Sequence, residues 1–129
     1  ARELAQVAGL DITFDVVDLV DEWQPEDEYD LVLLSYMQLP EKRRRVLHAK
    51  AASALAPGGM VLVVAHHLDN LNQGVGGPPM PEALYTEADL AEDFADLDIE
   101  RIEKVLREVE RDGMAKTAHG VVLRATRRN

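Results

Sequence analysis

Cysteine is absent from the 129 residues, which excludes a disulfide framework and any thiolate metal site. Aromatic residues make up only 5% of the chain, so alanine, leucine and valine must carry the packing. No apolar run reaches the ~18–20 residues that a helical membrane span requires, and no leader pattern opens the sequence. A cytoplasmic location without membrane contact is the resulting expectation. Basic residues are also scarce: 14 Lys and Arg face 24 Asp and Glu, a formal net charge of -10. A field of that sign repels phosphate backbones and argues against general nucleic-acid binding.

What is present reads as one ordinary globular domain, 47% hydrophobic and 29% charged, spanning residues 1–129. Acid concentrates in residues 18–30 and 82–103. Base sits in Lys42-Arg43-Arg44-Arg45, read as a solvated first helical turn, and at Arg124, Arg127 and Arg128. Arg2 to Ala8 looks like the last two turns of a helix closed by Gly9. A helix without an N-cap suggests an upstream segment. Residues 12–17 alternate as a strand does, with Asp18 at its carboxyl end.

Leu31-Val32-Leu33-Leu34 is apolar at every position, as in a parallel strand covered on both faces. Pro40 opens a helix running to about Ala56, and Pro57-Gly58-Gly59 stops it. Met60 to Ala65 forms a second buried strand, ending at His66-His67. Residues 68–85 make a long Gly- and Pro-rich loop, of a length more often functional than idle. Thr86 is a helix N-cap with Asp89 in the capping-box position and Leu90, Phe94 and Leu97 on the buried stripe. Residues 99–109 and 121–126 read as strands paired antiparallel across Asp112-Gly113. The resulting order is β, β, α, β, loop, α, β, β. This predicts an α/β sandwich with a mostly parallel sheet and a terminal hairpin.

Ligands of such sheets bind beyond the carboxyl ends of the parallel strands. Asp18, Ser35-Tyr36-Met37 and His66-His67 all fall there, as one shared cleft requires. Asp18 either belongs to that cleft or caps a turn. His66 and His67 point to opposite faces, so one of them is a general-base or substrate-contact candidate. A metal site with Asp69 or His119 is not expected, because no metal-ligand spacing is present. Gly74, Gly76 and Gly77 lack the Lys-Ser/Thr of a phosphate loop and read as flexible backbone over the cleft. Tyr36 and Tyr85 flank the expected pocket, or else serve as half-buried packing. Arg107 either reaches an anionic acceptor or points into solvent.

Tyr29-Asp30-Leu31-Val32-Leu33-Leu34, then a helix, then Leu55-Ala56-Pro57-Gly58-Gly59 and a strand, resembles the second half of class I S-adenosylmethionine-dependent methyltransferases. Gly74-Val75-Gly76-Gly77-Pro78 followed by Leu84-Tyr85-Thr86-Glu87-Ala88-Asp89-Leu90 is similar to the tellurite-resistance and thiopurine type, which acts on small molecules. The resemblance covers essentially the whole chain and implies a Rossmann-like fold with strand order 3-2-1-4-5-7-6. Residues 12–17 would be its third strand.

The resemblance also implies that Asp18 and Leu19 meet the adenine of S-adenosylmethionine, and that Ser35 and Tyr36 face its methionine end. Tyr36, His66, Gly76, Gly77, Tyr85 and Arg107 would contact a small-molecule methyl acceptor. The family's glycine-rich cofactor loop and its ribose-binding acid precede these elements and do not occur here. The chain is therefore expected to be an N-terminally truncated form, inactive alone, whose cofactor binding is weak or undetectable. Its bare Leu31 to Leu34 edge predicts a homodimer, with residues 12–17 folded back or exchanged to cover it. The alternatives are a non-catalytic pseudo-enzyme or interaction domain that keeps the fold and, more weakly, a nicotinamide-dependent Rossmann domain, whose fingerprint loop is also absent.

Overall fold

A computed structural model describes residues 1–129. The elements are α1 (Arg2–Val7), β1 (Tyr29–Ser35), α2 (Glu41–Ser53), β2 (Leu55–His66), α3 (Asn70–Gln73), a 3-10 turn (Pro81–Ala83), α4 (Glu87–Asp93), β3 (Asp98–Arg111) and β4 (Met114–Thr126). The four strands form one mixed sheet in the order β1-β2-β4-β3. β1 and β2 run parallel, while β4 lies antiparallel to both β2 and β3. That order is the 4-5-7-6 portion of the strand plan named above.

Period-two alternation sorts the strands' side chains between two unlike faces. Val61, Val63 and Ala65 of β2, Val121, Leu123 and Ala125 of β4, and Leu34 of β1 point to one side. There they pack against Leu47 and Ala51 of α2 and Leu90 and Phe94 of α4. Each large side chain buried in this layer contributes roughly 1.5–3 kcal/mol. The opposite side carries no helix. Leu31 and Leu33, expected to be covered, are 54% and 57% exposed. The continuous apolar run of β1 therefore does not mean burial on both faces in this chain.

Helix α4 starts as its sequence predicts. Thr86 accepts from the Asp89 amide, the Asp89 carboxylate accepts from the Thr86 amide, and the capping box is complete. The Leu55-Ala56-Pro57-Gly58-Gly59 turn is part of β2 rather than a stop before it. A Cβ at Gly59 would stand 2.7 Å from the Tyr29 carbonyl oxygen and 2.8 Å from that of Ala56, so only glycine fits where β1 enters the sheet.

The strand expected at residues 12–17 does not form. None of its backbone groups bonds another strand, and its one hydrogen bond is Arg2 donating to the Phe14 carbonyl. Alternation supplied the pattern, but a strand needs a neighbour, and β1 pairs only with β2. Nor does the segment fold back to cover the β1 edge; Val16 is fully exposed. No helix is long and apolar enough to cross a membrane.

Candidate active site

Because β1 and β2 are parallel, their carboxyl ends lie together, bringing Ser35 and Tyr36 beside His66. The Tyr36 amide donates to the Val64 carbonyl at 2.7 Å, and Tyr36 then turns into the left-handed region with φ 56. That conformation strains a bulky side chain and persists only where the surroundings enforce it. They do. Gln38 Oε1 accepts from the His66 amide at 2.7 Å, and its Nε2 donates to the Ala83 carbonyl at 2.6 Å. The Tyr85 hydroxyl donates to the Met37 carbonyl and accepts from the Leu39 amide at 2.8 Å.

On the open face of the sheet a cavity of about 150 Å³ is lined by Tyr36, Val64, His66, Val105, Arg107 and Ala118, among others. The Tyr36 and His66 rings lie 4.8 Å apart, tilted by 41°. The Arg107 guanidinium sits 5.7 Å from the Tyr36 ring centre, within cation–π range. Burial, reinforced by the positive charge of Arg107, lowers the His66 pKa below its ordinary value of 6.5. A neutral imidazole can take up a proton. Gly77, with φ 74, lies directly on that ring; a Cβ there would stand 2.9 Å from His66 Cγ.

Tyr36, His66, Gly77 and Arg107 thus converge, with Gly76 alongside Gly77. Tyr85 does not join them. It is 1% exposed and supports the 36–39 turn from beneath, because its hydroxyl finds two backbone partners there. His67 points to the other side, as adjacent strand residues must. Its Nδ1 accepts from the Asp69 amide at 3.0 Å, and its Nε2 donates to Glu87 at 2.5 Å, a pairing that one neutral tautomer satisfies. No group of three or more His, Cys, Asp or Glu side chains stands ready to hold a metal ion.

Known structures share this fold. TehB from Haemophilus influenzae superimposes with a TM-score of 0.73 at 17% identity, covering 98% of this chain and 45% of that one. The N-methyltransferase NodS from Bradyrhizobium japonicum, in complex with S-adenosylhomocysteine, gives 0.63 at 13% identity, covering 88% of this chain and 53% of that one. An S-adenosylmethionine-dependent methyltransferase from Clostridium acetobutylicum gives 0.70 at 12% identity, over 99% and 70%. The fold is that of the methyltransferases. The chain spans about half the length of the first two proteins. No protein-family model matches the sequence, and no curated protein matches it either.

Two of the residues expected at a cofactor, Ser35 and Tyr36, lie at the carboxyl end of β1. Ser35 is exposed at the tip of β1, and Tyr36 follows it at the cavity. The Asp18 carboxylate is otherwise engaged. It accepts from the Val20 amide at 2.9 Å and the Asp21 amide at 2.8 Å, and Arg43 stands 3.7 Å away. The Asp21 and Val20 hydrogen bonds lower its pKa. Asp18 therefore caps a turn, the second of its two expected roles, while Leu19 packs against the core.

Several side chains that shape the site carried no sequence signal. Asn70, 4% exposed, donates to the Gly76 carbonyl at 2.9 Å and accepts from the His119 amide at 2.9 Å, fastening the glycine loop to β4. Behind the sheet, Arg44 belongs to a basic run read as solvated, yet it is 3% exposed. Its Nε donates to Asp93 at 2.8 Å, and His48 Nδ1 donates to the same carboxylate oxygen at 2.7 Å. The recurrence of Arg44, His48 and Ala51 along one side of α2 was the only available hint.

Proposed function

We propose that the chain is the acceptor-side portion of a cytoplasmic, small-molecule methyltransferase of the tellurite-resistance and thiopurine type, using S-adenosylmethionine. The observation that carries this reading is the convergence of a strained Tyr36, a neutral His66 and Arg107 on a cavity next to Ser35. When bound, S-adenosylmethionine supplies an electrophilic methyl group on a sulfonium. The backbone of Ser35 and Tyr36 would hold its methionine end. The chain's remaining tasks are positioning and proton removal. Tyr36, Val64 and Val105 form the walls against which an acceptor is oriented. His66 takes the proton of the attacking atom, a contribution of about 10²–10⁴ in rate for a positioned base.

The internal engagement of Asp18 favours a second reading, a non-catalytic domain that keeps the fold. Titration of the protein at its full natural length with S-adenosylhomocysteine, followed through amide NMR shifts, separates the two. The enzyme reading expects saturable shifts at Ser35, Tyr36 and His66. A spectrum unchanged at those residues supports the non-catalytic domain.

We also propose that two chains associate across the β1 edge. β1 has one strand neighbour only, and Leu31 and Leu33 add apolar surface beside its unpaired backbone.

A further inference from the structure

Acid outnumbers base so heavily in this chain that nearly every arginine is neutralised. Seven of the ten meet a carboxylate within 4.0 Å. Arg2 donates instead to a backbone carbonyl. Arg107 and Arg111 alone have neither an acidic partner nor a side-chain hydrogen bond. They lie four residues apart on β3, hence on the same face, and that face is the open one. Arg107 lines the cavity and packs on Tyr36. Arg111 Nη2 comes within 3.2 Å of where a Cβ at Gly76 would be, while the adjoining Gly77 lies against His66. One glycine loop therefore touches Arg111 through Gly76 and, through Gly77, the His66 ring of the cavity that Arg107 lines.

Neither arginine is drawn to Glu108 or Glu110, its neighbours on the same strand, because adjacent strand residues face opposite ways. A guanidinium presents a planar fork of donors that matches carboxylate and phosphate oxygens two at a time. Between the arginines and the sheet, the walls are apolar: Val64, Val105 and Ala118. A space of about 150 Å³ is on the scale that holds a single benzene-sized ring.

We infer that the acceptor is a small acid, with a body of about one ring against Val64 and Val105 and a carboxylate or phosphate held by Arg107, with Arg111 as a second contact. This rests on the methyltransferase reading for the word acceptor, but the anion site itself stands on the arginines and the cavity.

The test is an NMR titration of the full chain that follows the His66 ring signals, with benzoate, phenyl phosphate and benzamide as probes. Both anions bind more tightly than benzamide, by about 10–100-fold, and the tighter of the two identifies the anionic group. Arg107→Gln removes that advantage, Arg111→Gln reduces it, and neither alters benzamide binding. Arg128→Gln, which removes a distant cation paired with Asp98, leaves all three unchanged. Benzamide binding as tightly as the anions, or an Arg107→Gln chain with undiminished preference, overturns the inference. Titration with S-adenosylhomocysteine keeps the two readings apart. Anion binding that depends on Arg107, together with no cofactor response from the protein at its full natural length, refutes the methyltransferase reading and leaves the anion site standing.

Discussion

The two faces of the sheet obey different rules. On the helix-covered face the buried polar side chains are paired, apart from His48 Nε2 and His119 Nδ1. Arg44, His48 and Asp93 bond one another, and the Tyr85 hydroxyl has two backbone partners. On the open face the polar groups are left available. Arg107 and Arg111 have no acidic partner, the His66 ring makes no hydrogen bond, and Tyr36 is held in a strained conformation. Satisfied groups stabilise, whereas unsatisfied groups beside a cavity are what a ligand can use. One face keeps the fold; the other is free to act.

The largest expected effect lies at the centre of the covered face. Asp93→Ala leaves the Arg44 cation buried without its partner, which costs about 3–5 kcal/mol in denaturant unfolding. Burial works against the ionised Asp93, but hydrogen bonds from His48 and Arg44 outweigh it and hold its pKa below the ordinary 3.8. The unfolded chain therefore takes up this proton first as the pH falls. The stabilisation is complete above the ordinary carboxylate value and is lost as the pH falls through the depressed folded value. A substitution that costs less than about 1 kcal/mol would place this cluster outside the core.

Next comes Tyr85→Phe, which strands the Met37 carbonyl and the Leu39 amide without changing the ring. About 1–3 kcal/mol should be lost, with amide exchange accelerated across residues 36–39. If exchange there is unchanged, the 36–39 turn does not depend on the tyrosine. Smallest in stability is Leu33→Glu on the open face, within about 0.5 kcal/mol for the monomer. Its effect appears in association. Light scattering after size exclusion should find the wild-type chain dimeric and this variant monomeric, whereas a monomeric wild type removes the dimer proposal.

Legibility in the sequence follows the same division. Thr86 and Asp89 announced α4 because a capping box is local, and the hairpin at Asp112-Gly113 was readable for the same reason. Tyr36 and His66 were found because they follow apolar runs that ended on one side of a parallel pair. Residues 12–17 misled, since alternation records an amphipathic segment but not whether a neighbour exists to bond it. Tyr85 was placed in the pocket because it closes the glycine loop, yet loop position does not tell which way a ring turns. Asn70, Gln38 and the Arg44–Asp93 pair depend on contacts 28–49 residues apart, which no local pattern encodes.

The measurement that bears most directly on the open face as the working face is transfer of a labelled methyl group from S-adenosylmethionine to small carboxylic and phosphoric acids. It should be made with the protein at its full natural length, comparing wild type with His66→Ala across pH. The substitution should lower kcat by about 10²–10⁴ with unchanged affinity for S-adenosylhomocysteine. Wild-type activity should fall on the acid side only below pH 6.5, because burial and Arg107 hold the His66 pKa below that value. Transfer at the wild-type rate by His66→Ala, or cofactor affinity lost together with rate, would contradict a base at His66.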